Sequence, residues 1–310
     1  MELATETRAE QFRDVETWPD TEILAAIAAG QRAAIDACAA AIVPIAAAAR
    51  ALTATWRSGG RIAYAGAGSS GLIAALDALE IPVTYGLEAD RLPLLLAGGA
   101  ASLEALDQES EDDTTTAIAR VCAAGIGVGD MLIAVSASGA TPFTLAAAAA
   151  AKSAGAQIVG IACNDPSPLL AIADLPIALP TGAEPVAGST RMNAGTAQKC
   201  ALNMLSTLTG IRLHHVHHGM MVNMRAENAK LRGRAARVIA EATGIDLAAA
   251  HLHLRASSFE VKPAILAASG ATHPNDLLQS HDGNLRAALA QLRAGQSSGD
   301  SSVEGSTTSK

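Results

Sequence analysis

Aromatic residues are nearly missing from this chain: Phe, Trp and Tyr make up 2% of its 310 residues, although half of the chain is hydrophobic. Alanine and the branched aliphatics therefore supply the apolar surface, and side chains that small suit helices packed closely on a sheet. Cysteine is also scarce. Cys38, Cys122, Cys163 and Cys200 lie far apart among apolar neighbours and form no CxxC. That spacing argues against a disulfide framework and points to buried thiols in a reducing compartment. A chain of 310 residues can bury a substantial core without such staples. Basic runs are missing too: the formal charge is −8, the pI is near 5.5, and no run of five basic residues occurs. Without that electrostatic footprint, neither nucleic acid nor a membrane surface is an expected partner. The opening MELATETRAEQFRD lacks the apolar core of a signal peptide, so a cytoplasmic location is expected. The longest stretch free of ionisable residues, 131–151, has the length of a bilayer span. Ser136, Ser138, Gly139 and Pro142 interrupt it, and it reads as strand, loop and helix.

What is present alternates. Residues 21–56 have helical composition with few breakers, apart from Gly30 and Pro44, and predict helices outside the main sheet. Five β-compatible runs follow: RIAYAG from Arg61, LPLLLAGG from Leu92, DMLIAVSAS from Asp130, QIVGIACN from Gln157 and LPIALPTG from Leu175. Glycine- or hydroxyl-rich turns and alanine-rich helical stretches separate them. Parallel strands need crossovers, usually helical, so the alternation predicts an α/β fold with a doubly wound, five-stranded parallel sheet. Ligands of such sheets bind at the carboxyl ends of the strands. The run NAGTAQKCALNMLSTLTGIR from Asn193 predicts a long helix, and 225–243 a second. The organisation is then an N-terminal helical extension over 1–56, a sheet domain over 57–243 and a small helical subdomain over 244–292. A disordered tail follows over 293–310, where GQSSGDSSVEGSTTSK is too polar to offset the entropy of ordering.

Three hydroxyl-rich turns carry the chemical signal. The first, AGAGSSG from Ala65, closes a strand and opens a helix. Its glycines let backbone approach an anion, and Gly68, Ser69, Ser70 and the helix N-terminal amides are candidate donors to phosphate oxygens. An ordinary N-capped turn has the same look. The second, SASGATP, offers Ser136, Ser138 and Thr141, again directly after a strand; the third, AGSTRMNAGTAQK from Ala187, offers Ser189 and Thr190 before the long helix. One such turn is a cap, whereas three in one α/β domain point to converging phosphate donors. An acidic protein can bind phosphate this way, because amides and hydroxyls aimed by helix ends need no net basic charge.

In order and spacing over roughly 5–292, GAGSSG, ASGATP, CNDPSP at Cys163, GSTRMNAGTAQK and NAKLRGRA at Asn228 resemble the motifs of the N-acetylmuramic acid 6-phosphate etherases, a family with the sugar isomerase (SIS) fold. The chain is similar, more distantly, to the glucokinase regulatory proteins, which bind sugar phosphates without catalysis. The etherase resemblance implies an enzyme, a carbon-oxygen lyase. It would remove the lactyl ether from C3 of a phosphorylated amino sugar by elimination and hydration, giving N-acetylglucosamine 6-phosphate and D-lactate with no metal or nucleotide cofactor. It also implies a catalytic pair, Glu80 in LDALEIPVTYG as proton donor and Glu111 in QESEDD as general base. Breaking the ether after loss of the C2 proton needs a base and an acid, which two carboxyls of opposite protonation can supply. Glu80, beside Ile81, Pro82 and Val83, could be held protonated by desolvation, and Glu111 could be shifted by its acidic neighbours. The residues do not assign the roles by themselves. The resemblance further implies a homodimer with its site near the subunit interface, toward which Lys230 or His215 could reach.

Three cationic positions of the family pattern are lost, at Leu72, Ala140 and Asn193, while Arg191 and Lys199 remain. Those losses keep two alternatives open: a noncatalytic sugar-phosphate regulator of the same fold, or a phosphosugar isomerase. In HHVHH, His214 and His218 would share a helix face and invite a metal, but no Cys, Asp or Glu stands beside them. A polar loop or subunit contact is the expectation there. No GxSxG elbow marks a serine nucleophile.

Overall fold

All five apolar runs become strands, with crossovers between them that keep their direction the same, as parallel pairing demands. In the computed structural model, residues 3–300 are described, apart from the side chains of 296–300. The chain divides into two compact units, one of 1–80 and 88–209 and the other of 81–87 and 210–310.

The first unit begins with α1 (Asp20–Ala40) and α2 (Ile42–Arg57). By length and composition α1 passes as a membrane span, the one described helix that does. Its Ala34, Ala37 and Cys38 are nevertheless buried, and the Cys38 thiol donates to the Ala197 carbonyl at 3.1 Å. Next come β1 (Ile62–Gly66), α3 (Gly68–Tyr85), β2 (Leu94–Leu96) and α4 (Thr114–Ala123). The 131–151 stretch resolves, as its breakers predict, into β3 (Met131–Ser136), a turn and the start of α5 (Pro142–Ser153). The sheet is completed by β4 (Gln157–Ala162), short α6 (Pro168–Ile172) and β5 (Leu175–Ala178), and α7 (Asn193–Arg212) follows. Strand order is β2-β1-β3-β4-β5, parallel throughout. Central β3 is buried along its whole length, which is why it reads as a continuous apolar run rather than an alternating one. On α5, Phe143, Ala147, Ala148 and Ala151 face the sheet core formed by Ala63, Leu132, Ala134 and Ile158. The alanine run thus brings helix and sheet close together.

The start of the sheet is tied by one carboxylate. Asp130 accepts from the Arg61 amide (2.8 Å), the Arg61 guanidinium (2.8 Å) and the Gly127 amide (3.0 Å), joining the entries to β1 and β3. Burial raises its carboxyl, but the hydrogen bonds from Arg61 and Gly127 outweigh it and hold the group below the usual carboxylate range. Asp130→Asn is expected to cost about 2–3 kcal/mol, trimmed by screening because Arg61 is partly exposed. The sign follows from the lowered folded value: the stabilisation is present above the ordinary carboxylate pKa and lost as pH falls through the folded one. Chemical denaturation should therefore separate wild type from variant fully at pH 7, with the gap closing only as pH falls below about 4.

The second unit holds a hairpin of β6 (Val216–His217) and β7 (Met220–Met221), then α8 (Ala229–Thr243), α9 (Leu247–Ala256), α10 (Val261–Ala268), α11 (Pro274–Gln279) and α12 (Leu285–Asp300). Asn228 and Asp246 cap α8 and α9 through the Leu231 and Ala249 amides. α8 falls within 57–243, the span expected for the sheet domain, but its Ala235, Ala236 and Ile239 pack into a separate core with Leu254, Ile265 and Leu289. Of the expected tail, 293–300 continues α12, and 301–310 lies outside the described residues. His214 and His218 share no helix face. They flank β6 with positive φ (63° and 49°), and His218-Gly219 forms the hairpin turn, so the geometry on which the metal reading rested does not occur.

Candidate active site

The first two hydroxyl turns stand side by side at the carboxyl edge of the sheet, because Gly66 at the end of β1 pairs in register with Val135, next to the end of β3. The AGAGSSG turn is folded so tightly that a Cβ on Gly66 would lie 2.8 Å from the Gly71 Cα. Only glycines allow that approach. Ser69 is half-buried and Ser70 buried at the start of α3.

In the second turn Ser136, Ser138 and Thr141 converge. Their hydroxyl oxygens lie 2.8 Å (Ser136 to Thr141), 3.3 Å (Ser136 to Ser138) and 3.5 Å (Ser138 to Thr141) apart. The Gly139 amide donates to Ser136 at 3.0 Å and the Ala140 amide to Ser138 at 3.1 Å. No side chain caps α5, so its N-terminal end adds a positive dipole next to three hydroxyls. The cluster can donate several hydrogen bonds to a phosphate.

The third turn differs. Ser189 and Thr190 are half-buried, but the N-terminal amides of α7 are already satisfied. Buried Glu184 accepts from Asn193 (2.8 Å) and Ala194 (2.9 Å), so a carboxylate of the protein holds the place that an anionic ligand would take. Burial pushes the Glu184 carboxyl up, against those two bonds. The first two turns therefore lie at neighbouring strand ends, whereas α7 is closed as an anion-binding terminus.

The N-terminal segment links the loops. Fully buried Thr5 exchanges hydrogen bonds with Asn164 of the CNDPSP run (Asn164 Nδ2 to Thr5 Oγ1, 2.9 Å), and Asn164 also donates to the Ala137 carbonyl at 3.0 Å. The Gly188 amide donates to the Thr5 carbonyl at 3.1 Å. The N-terminal TETRAE therefore bridges the second and third turns.

The two glutamates part company. Glu111 comes to the first turn: a Cβ built on Gly68, whose φ is +52°, would lie 2.5 Å from Glu111 Oε1. Burial first, then the Asp112 carboxylate, raises the Glu111 carboxyl above its ordinary value. Glu80 lies twelve residues farther along α3, about 18 Å down the helix axis at the α-helical rise. The desolvation expected for it is not what the chain provides, because its side chain is 59% exposed and pairs with Lys199 Nζ at 3.2 Å. It shares a helix face with exposed Leu76, Leu79 and Val83. Lys199 also lines a cavity of about 710 Å³ with Ile35, Ile73, Arg191, Thr196 and Asn203.

A family model described as "SIS domain" matches residues 22–163. The chain is 40% identical over 293 residues to the N-acetylmuramic acid 6-phosphate etherase of Deinococcus radiodurans, covering 94% of this chain and 96% of that one. The etherase of Streptomyces avermitilis is 40% identical as well, over 93% of this chain and 94% of its own. This chain belongs to the N-acetylmuramic acid 6-phosphate etherase family. Among solved structures, a phosphoheptose isomerase from Francisella tularensis aligns with 62% of this etherase-family chain and 96% of its own, at 21% identity and a TM-score of 0.45. The cationic positions lost from the etherase pattern sit differently here. Leu72 and Ala140 are half-buried beside the first two turns. Asn193 is buried at the α7 terminus, where its Oδ1 accepts from Gln31 at 3.3 Å. Of the retained cations, Lys199 is engaged by Glu80 and Arg191 is exposed.

Proposed function

We propose that this chain cleaves the D-lactyl ether of N-acetylmuramic acid 6-phosphate to N-acetylglucosamine 6-phosphate and D-lactate, as a cytoplasmic homodimer serving cell-wall recycling. The observation that carries the reading is the cradle of Ser136, Ser138 and Thr141 beside a turn that holds a carboxyl, Glu111, against Gly68, in a chain alike over nearly its whole length to named etherases.

In this mechanism the hydroxyl cradle, with Gly68, Ser69 and Ser70 of the first turn, binds the sugar phosphate. Glu111 takes the C2 proton of the ring-opened sugar, whose C1 carbonyl makes that hydrogen acidic. A carboxyl raised toward the working pH is a stronger base while still ionised, which suits this step. Glu80 gives its proton to the departing lactyl oxygen on C3, and water then adds across the C2–C3 double bond.

One chain cannot bring both groups to one sugar. Acid and base must each come within about 3 Å of groups on neighbouring carbons, and an offset of about 18 Å along α3 is far beyond that reach. A second copy supplies the missing carboxyl. Leu76, Leu79 and Val83 around Glu80 are the apolar face against which that copy packs, and packing there would also desolvate Glu80.

The deciding experiment measures D-lactate released from N-acetylmuramic acid 6-phosphate by the purified protein. Release supports the etherase; no release with a sugar-phosphate-dependent rise in Tm would favour the noncatalytic binder, for which the cations lost at Leu72, Ala140 and Asn193 speak. Aldose-ketose interconversion without lactate would indicate an isomerase. Within the etherase reading, Ser138→Ala is expected to raise KM about tenfold or more with a smaller change in kcat, the cost of one hydrogen bond to a charged phosphate.

A further inference from the structure

Beneath the Glu80–Lys199 pair lies a second carboxyl for which the mechanism above has no use. Asp77 is 3% exposed, one helical turn before Glu80 on the same face of α3. Across from it, α7 runs antiparallel: Ser206 Oγ donates to Asp77 Oδ1 at 2.9 Å, and two turns earlier Lys199 Nζ meets Glu80 Oε2 at 3.2 Å. From the sheet, the buried Tyr64 hydroxyl of β1 donates to Asp77 Oδ2 at 3.0 Å. Each oxygen of the carboxylate thus has a neutral donor, and the charged neighbours that act on it are Lys199, which favours its ionised form, and Glu80, which opposes it.

A carboxylate sealed against the sheet is costly unless something compensates it. Two hydroxyls and a shared ammonium do so here. Burial still pushes Asp77 up to about 6, against the pull of Ser206, Tyr64 and Lys199. Burial and Asp77 together drive the Tyr64 phenol well above its ordinary value, so it keeps its proton and remains a donor. One ammonium between two carboxylates leaves the cluster one negative charge in excess when all three groups are ionised, and such a cluster retains a proton more readily than an isolated ion pair.

We propose that Asp77 is a positioning residue for Glu80: fixed by Tyr64 and Ser206, it draws on the charge of Lys199 from below and so sets how that ammonium stands against Glu80. The inference rests on the reading of Glu80 as the proton donor and extends it to a residue with no contact to substrate. When Asp77 is protonated, its pull on Lys199 is lost and the ammonium shifts against Glu80. Activity then falls on the acidic side as Asp77 takes up its proton.

The test is the pH profile of kcat and KM for D-lactate release by wild type, Asp77→Asn, Tyr64→Phe and Ser206→Ala, each first shown to be folded by its Tm. Asp77→Asn should lower kcat about tenfold or more at neutral pH with KM nearly unchanged, and its profile should lack the acidic limb near pH 6. Tyr64→Phe and Ser206→Ala each remove a hydrogen bond that favours the ionised carboxyl, so both should move that limb to higher pH. A purely structural role would lower activity at every pH and leave the limb in place, and that result overturns the proposal. So does an Asp77→Asn enzyme with the wild-type profile. Wild-type protein that releases no lactate at any pH overturns the etherase reading and the role of Asp77 with it, an outcome distinct from the other two because it appears before any variant is compared.

Discussion

An equal mixture of Glu80→Gln and Glu111→Gln subunits, dissociated and reassembled together, should recover about a quarter of wild-type lactate release, although each variant alone is nearly inactive. Removing either carboxyl deletes an acid or a base from the reaction and is expected to cost about 10²–10⁴ in kcat. In a symmetric dimer whose sites each take Glu80 from one copy and Glu111 from the other, a mixed dimer carries both lesions in one site. Its other site is intact. Half of a randomly reassorted population is mixed and each mixed dimer has one working site of two, hence the quarter. If both carboxyls of each site came from one chain, every site in the mixture would carry a lesion and nothing would be recovered. The prediction follows directly from the places of Gly68 and Glu80 on α3: Glu111 stands at the first residue of the helix and Glu80 near its far end.

The strands were readable because buried parallel strands leave a plain mark, short apolar runs between breakers, and β3 and β4 are such runs. The crossovers then followed from parallel pairing. In the site, the Ser136, Ser138 and Thr141 cluster was legible because a cradle built from consecutive residues is local in sequence. Features made by distant residues were not. Glu111 meets Gly68 through a 3₁₀ turn, Glu109–Asp112, in an irregular stretch where an acidic run looks like any solvated surface. The cap of α7 by Glu184 reaches across nine positions of sequence, and the serine and threonine between them were the more obvious candidates. His214–His218 has the spacing of a helix face, yet the φ values that turn it into a hairpin depend on β6 finding β7. The exposure of Glu80 is illegible in the sequence for a related reason. Ile81, Pro82 and Val83 are apolar in sequence, but Val83 itself is half exposed, and composition cannot tell a buried apolar face from one left open.

Gly68→Ala should leave a folded protein with kcat reduced about 100-fold, an effect on chemistry rather than stability. At φ +52° a β-carbon costs about 1–2 kcal/mol of backbone strain, which a domain of this size can bear. The position of that carbon matters more. It would stand 2.5 Å from Glu111 Oε1, well inside contact distance, and what it meets is the end of a flexible side chain. The carboxyl gives way, by about 1 Å, and a general base displaced that far from the C2 proton loses most of its advantage. Gly59→Ala provides the control: its φ is +87° and a Cβ there meets nothing within 4 Å, so it carries the backbone strain without touching Glu111. The two variants should show similar small losses in Tm, with turnover falling only in Gly68→Ala. A Gly68→Ala enzyme with wild-type kcat would mean that Glu111 does not act from where it stands against the first turn, and the base would have to be sought elsewhere at the carboxyl edge of the sheet.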